Sequence, residues 1–182
     1  MLFFYRDKGS RMIDHISTGG LELAQEVGRL LLAQGKTLAI AESCTGGLIS
    51  SMVTDVTGSS GYFLFSAVTY SNDAKIKILN VREKTLLDHG AVHERTALEM
   101  AEGVRLKAGA DFGISTTGIA GPGGGSPEKP VGMVCIGLAG DGFSLARTYR
   151  FAFDDRAMNK MIFAHTALDL LRRHLTGLLK TS

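Results

Sequence analysis

Ser43 and Cys44 stand in the stretch Ala41-Glu42-Ser43-Cys44-Thr45-Gly46-Gly47, which places a hydroxyl and a thiol just before two glycines. The apolar run Thr37-Leu38-Ala39-Ile40 precedes it, and Leu48-Ile49-Ser50-Ser51-Met52-Val53 follows. That order reads as a buried strand, a tight turn and a helix start, where a nucleophile and bare backbone N–H groups can meet around one substrate atom. The chemistry it suits is enzymatic attack on a small anionic molecule. A serine hydroxyl is a weak nucleophile until a neighbouring base takes its proton. His15, His89, His93, His165 and His174 all fall away from the expected strand ends, which speaks against a Ser-His-Asp triad. Lys75 is better placed. Tyr70 closes an apolar and aromatic strand, Ser71 is a good N-cap, and Lys75 lies in the first turn of the helix that follows. The helix dipole and burial in a cleft both disfavour a charged lysine there. The pattern supports a Ser43/Lys75 dyad, with Tyr70 orienting the base or bonding the nucleophile. Spacing by itself suits a solvated helix lysine and a strand-end tyrosine at least as well. Cys44 is the rival nucleophile, favoured by the same helix N-terminus, and it suits equally a small side chain packed under the turn. Adjacent residues point apart, so only one of the pair faces the substrate, and the sequence leaves that choice open.

Two further segments carry binding chemistry. The N–H groups of Thr45, Gly46 and Gly47 suit an oxyanion hole, and the same residues suit a plain tight turn capped by Thr45. Thr116-Thr117-Gly118-Ile119-Ala120-Gly121-Pro122-Gly123-Gly124-Gly125-Ser126 is rich in glycine and hydroxyls and follows an expected strand, as a phosphate nest does. It lacks the G-K-[ST] ending of a Walker A loop, and a mobile loop is its plainer reading. Arg156, after Asp154-Asp155 at the start of the last helix, suits a phosphate clamp or an ion pair with those aspartates.

The elements that would position these residues alternate. Helices are expected over about 21–33 (capped by Thr18 and stopped by Gly35), 46–56, 72–79, 83–89, 94–108 and 155–179. Strands are expected over about 37–43, 62–70, 111–116, 131–139 and 145–153, with a hairpin turn at Asp141-Gly142. This is an α/β chain: a three-layer α/β/α single domain with a mixed, mostly parallel central sheet, in which the hairpin makes one strand antiparallel. Ligands of such sheets bind at the carboxyl ends of the strands, where Ser43–Gly47, Tyr70–Lys75 and Thr116–Pro130 fall. Residues 1–18 read as a loosely attached N-terminal extension and 19–182 as the domain. The chain has 182 residues, 45% of them hydrophobic and 21% charged, with a net charge of +2, so it carries no nucleic-acid footprint. Cys44 and Cys135 stand apart without metal-ligand spacing, and the apolar opening Met1-Leu2-Phe3-Phe4-Tyr5 is too short to span a bilayer. A reducing cytoplasm, no membrane partner and no disulfide framework are the expectations.

Ala41-Glu42-Ser43-Cys44-Thr45-Gly46-Gly47, Val68-Thr69-Tyr70-Ser71-Asn72, Gly90-Ala91-Val92, Thr117-Gly118-Ile119-Ala120-Gly121-Pro122-Gly123-Gly124 and Lys129-Pro130-Val131-Gly132 occur in that order. Together, over about residues 20–178, they resemble the CinA C-terminal domain family, which is similar to bacterial nicotinamide mononucleotide deamidase. The resemblance implies a cofactor-free and metal-free serine amidohydrolase of pyridine-nucleotide salvage. Ser43 would be the nucleophile, Lys75 the base and Tyr70 its partner. Thr45, Gly46, Gly47, Thr117, Gly118, Gly121, Gly123, Gly124 and Arg156 would bind the nucleotide. The alternative it leaves is a non-catalytic nucleotide-binding module of a competence or damage response. The chain departs from the family pattern in Asp154-Asp155-Arg156, where Gly-Asp-Arg is usual, in Lys160, where a second arginine often stands, and in His93, where serine is common. A homo-oligomer is expected, with Phe63, Leu64 and Phe65 in a core or against a second subunit.

Overall fold

The computed structural model describes residues 8–179 except Ala152, with side chains from Gly19 onward. Five strands form one sheet in the order β2-β1-β3-β4-β5. They are β1 (Leu38–Glu42), β2 (Phe63–Val68), β3 (Phe112–Gly118), β4 (Met133–Gly140) and β5 (Phe143–Arg150). The β2–β1 and β1–β3 pairs are parallel, and β4 is antiparallel to both its neighbours. Only β4 therefore runs against the rest, because the tight turn at Asp141-Gly142 leaves room for nothing but a hairpin.

Six helices cover the two faces: α1 (Lys8–Gln34), α2 (Leu48–Thr54), α3 (Asn72–Leu79), α4 (Glu83–His89), α5 (Glu94–Ala108) and α6 (Arg156–Leu175). The period-two alternation of β1 sorts its side chains between the layers. Leu38 and Ile40 join the core under α1, α2 and α6, with Ile49, Phe163 and Leu168. Ala39 and Ala41 join the core under α3, α4 and α5, with Leu79, Leu86, Met100 and Val104. The second face is lined by small residues because α5 lies close against it. A Cβ on Gly113 would fall 2.1 Å from the Ala101 carbonyl oxygen, and one on Gly137 2.4 Å from that of Ala97.

The expected starts and stops of α3, α4 and α5 are met where cap chemistry marks them. The Ser71 hydroxyl accepts from the Ala74 N–H, His93 Nδ1 accepts from the Arg95 N–H, and Gly109 ends α5 at φ 63°. The first helix differs. It begins at Lys8, so Thr18 lies inside it and not at its start, and the expected boundary at 18–19 falls within continuous helix. Residues 1–7 of the expected extension lie outside the described residues. Gly19 and Gly20 do not break the helix. At Gly20 it runs close to α2, since a Cβ there would meet Met52 Cε at 3.0 Å, whereas one on Gly19 would lie at an ordinary contact distance from His165. On the edge strand β2, Phe63 and Phe65 pack partly onto the two cores, while Leu64 and Val68 are exposed. Among the described residues no helix is long and apolar enough to cross a membrane.

The carboxyl ends of β1, β2 and β3 and the end of β5 share one edge of the sheet. From β1 the chain moves outward to β2, and from α5 it returns on the other side to β3, so a crevice opens beside β1 at this edge.

Candidate active site

Ser43 follows β1 directly, and its N–H donates to the Thr116 carbonyl at 3.0 Å, extending the β1–β3 ladder by one residue. Alternation therefore continues through the turn. Glu42 points toward α2, Ser43 toward α3, and Cys44 into the core shared by α1, α2 and α6. Of the two side chains, it is the Ser43 hydroxyl that hydrogen-bonds Lys75. Burial pushes the Cys44 thiol up to about 12, so thiolate is scarce at neutral pH.

Lys75 is only 1% exposed. Its Nζ lies 3.1 Å from Ser43 Oγ, 2.8 Å from the Thr69 carbonyl oxygen and 3.4 Å from the Tyr70 carbonyl oxygen. Carbonyls only accept, so two N–H bonds of the amine are committed to them. The remaining direction faces Ser43. In the ammonium it holds a third N–H; in the neutral amine it holds the lone pair that can receive the serine proton. Burial lowers the Lys75 pKa from 10.5 to about 8, against a weaker opposing pull from Cys44. Among the described residues no carboxylate forms an ion pair with it.

A cleft of about 270 Å³ opens over this pair. Ser43, Cys44, Tyr70, Lys75, Thr117, Gly118, Gly121, Gly123, Gly124 and Arg156 line it, with Ala91, Val92, Ile119 and Ala120 as apolar wall. Among the described residues, Lys75 and Arg156 are its only charged lining residues, so its field favours an anion. No histidine lines it. Arg156 Nη1 donates to the Gly121 carbonyl at 2.7 Å, and Nη2 donates to the Tyr70 phenol at 3.1 Å. Tyr70 thus touches Lys75 through its backbone carbonyl, while its 62% exposed side chain holds Arg156 at the mouth of the cleft. Thr117 Oγ1 donates to the Ala91 carbonyl at 2.8 Å, fixing the Gly90–Val92 wall.

The expected oxyanion amides are placed otherwise. The Gly47 N–H donates to Glu42 Oε2 at 2.9 Å, and the Gly46 N–H to the Ser43 carbonyl at 3.2 Å. Thr45 Oγ1 pairs with Thr116 Oγ1 at 2.8 Å, and none of Thr45, Gly46 and Gly47 lines the cleft. The cause is Glu42, which the spacing argument passed over. Its fully buried carboxylate accepts from the N–H groups of Gly47, Ile49 and Ser50 and from the Ser50 hydroxyl at 2.7 Å. It neutralises the start of α2 that a substrate oxyanion would otherwise occupy. A glutamate ending a strand just ahead of a helix start is the one sequence signal for it.

A broader groove of about 700 Å³, lined mainly by α3, α5 and the segment after α3, shares no residue with the cleft. In it Arg82 and Arg95 both pair with Glu99. Among the described residues no three His, Cys, Asp or Glu side chains lie together as a metal-holding set.

The CinA C-terminal domain model matches residues 21–175. CinA-like proteins of Desulforapulum autotrophicum and Desulfosudis oleivorans are 65% and 58% identical over 160 residues, 88% and 87% of this chain. The chain spans about 38% of the length of these relatives. The competence/damage-inducible protein CihA of Agrobacterium tumefaciens matches in structure with a TM-score of 0.83 at 40% identity, covering 86% of this chain and 95% of that one. The competence damage-inducible protein A of Klebsiella pneumoniae matches with 0.84 at 34%, covering 88% and 99%. With its mixed five-stranded sheet clothed by helices on both sides, the chain belongs to the CinA C-terminal domain family.

Proposed function

We propose that this domain hydrolyses the carboxamide of nicotinamide mononucleotide, releasing ammonia and nicotinate mononucleotide, by a Ser43/Lys75 mechanism. The observation that carries the reading is the buried contact of 3.1 Å between Lys75 Nζ and Ser43 Oγ, in a cleft whose lining charges are all positive.

Neutral Lys75 accepts the Ser43 proton as Oγ attacks the carboxamide carbon. With a pKa of about 8, about a quarter of Lys75 is neutral at pH 7.5. The positive pyridinium ring of the substrate disfavours ammonium further. The N–H of Cys44, a residue that borders the cleft and is bound neither by Glu42 nor by the Ser43 carbonyl, is the donor for the developing oxyanion. Lysine ammonium returns the proton to the leaving amide nitrogen, ammonia departs, and water opens the acyl-serine by the reverse path. Ala91, Val92 and Ile119 offer the ring an apolar wall. Arg156 and the glycine loop take the 5′-phosphate, and the Tyr70 phenol presents Arg156. Exposed Leu64 and Val68 on the open edge of β2 support a homo-oligomer.

The test is ammonia release from nicotinamide mononucleotide by chelator-treated protein, with Ser43→Ala beside it. Release that survives chelation and disappears in the variant upholds the reading. Folded wild type that binds the nucleotide without releasing ammonia would replace it with the non-catalytic binding module.

A further inference from the structure

Asn159 has no part in this chemistry, yet it is a fully buried polar residue behind the cleft wall. It lies on α6 three residues beyond Arg156, so both project from one face of the helix. Asn159 Nδ2 donates to the Ala120 carbonyl at 3.0 Å and to the Phe153 carbonyl at 2.9 Å. Arg156 holds the next carbonyl of the same loop, that of Gly121. Adjacent carbonyls of the glycine loop are thus gripped by two side chains of one helical turn. Two carbonyl acceptors can be served only by the amide's NH2 end, and both of its hydrogens are used. Its other end packs beside Gly132, where a Cβ would sit 3.6 Å from Oδ1 and 1.8 Å from the Phe151 carbonyl oxygen. The glycine loop and the approach to α6 are therefore tied together by this one amide.

The two grips differ in access. Arg156 lines the cleft, and an entering anion competes for its guanidinium with the Gly121 carbonyl and the Tyr70 phenol. Asn159 does not line the cleft, so a ligand leaves its bonds intact. We propose that Asn159 is a positioning residue that keeps the 119–125 loop in its binding shape while Arg156 exchanges the Gly121 carbonyl for the substrate's anion. This rests on Arg156 as the anion's ligand. Ser43 and Lys75 are mounted on β1 and α3, so the loss of Asn159 acts on binding and spares the chemical step.

Two readouts on Asn159→Ala test this, with Asn159→Ser as the second variant should the first fail to fold. The first is hydrogen exchange in the unliganded protein, which needs no substrate. The N–H groups of Ile119 and Gly132, bonded to the carbonyls of Met133 and Ile119 at 2.8 Å each, flank the loop and report on it. Their exchange should quicken by about tenfold or more while that of β1 and α3 is unchanged. The second is steady-state kinetics: KM for nicotinamide mononucleotide should rise about tenfold with kcat held within about twofold. Unchanged exchange at Ile119 and Gly132, or acceleration spread evenly over the sheet, overturns the proposal, as does a fall in kcat matching the rise in KM. Wild type inert toward the nucleotide would sink the substrate reading instead, and the exchange experiment would still decide the role of Asn159.

Discussion

Replacing Lys75 by Met keeps an unbranched side chain, one atom shorter, and removes the titrating amine. The lysine ionises near 10.5 in the unfolded chain and at about 8 in the fold, because burial opposes the ammonium. Between those values the unfolded state holds one more proton than the native state, so wild-type stability rises with pH across that window. The 2.5-unit gap amounts to about 3 kcal/mol, present as a penalty below pH 8 and relieved by pH 10.5. Met also leaves the Thr69 and Tyr70 carbonyls without their donor, a loss that does not vary with pH. The pH-dependent part is therefore the informative one. Cys44 works in the opposite direction above pH 9, since its thiol ionises at about 12 in the fold. It is present in both proteins and largely cancels in the difference. Urea unfolding of wild type and Lys75→Met from pH 6 to 10.5 measures that difference. The wild type should gain about 3 kcal/mol on the variant between pH 8 and 10.5, with a flat difference below pH 8. A difference that stays flat throughout would show that Lys75 keeps an ordinary pKa, and the case for a neutral base would fall.

Other outcomes follow from the same geometry. Ser43→Ala should lower kcat by at least about 10⁴-fold, whereas Cys44→Ala, which empties a core position, should cost about 1 kcal/mol of stability and leave kcat within a few-fold; the reverse pattern in ammonia release would make Cys44 the nucleophile. Arg156→Ala should raise KM for the nucleotide by about 10- to 100-fold, the worth of a hydrogen bond to a charged group, and much less for the phosphate-free riboside. Equal effects on the two substrates would remove the phosphate from Arg156. Tyr70→Phe should raise KM with kcat within about fivefold, since the phenol holds Arg156 while the carbonyl that contacts Lys75 is kept; a loss of kcat of about 100-fold would return the phenol to the catalytic step. The pH profile of kcat/KM should climb through neutrality and level off above about 8, as the amine loses its proton.

The layered fold was legible because local punctuation and global pattern agree. Ser71, Gly90 and Gly109 stop and start helices by cap chemistry that acts within a few residues. The first helix starts earlier than expected for the matching reason: Thr18 has the chemistry of a cap, but the helix runs from Lys8 straight through it. At the site, the neighbourhood of Ser43, Lys75, Thr117 and Arg156 follows from the strand ends that a mostly parallel sheet gathers on one edge. The partners within that neighbourhood do not. Both Ser43 and Cys44 border the cleft, and which of them meets Lys75 depends on which face of β1 receives α3, a fact of topology. The bond from Arg156 to Tyr70 spans 86 residues, and no periodicity encodes it. Glu42 and Asn159 escaped because a buried carboxylate or amide gains its meaning from the backbone groups placed around it.

The central claim is a covalent acyl-serine formed with a lysine base. Rapid quenching of protein mixed with nicotinamide mononucleotide, followed by mass analysis of the intact chain and its peptides, tests it most directly. The account predicts an adduct equal in mass to the nucleotide less ammonia, carried by the peptide containing Ser43 and missing in Ser43→Ala. Ammonia release with no adduct at any quench time, undiminished in Ser43→Ala, would contradict it.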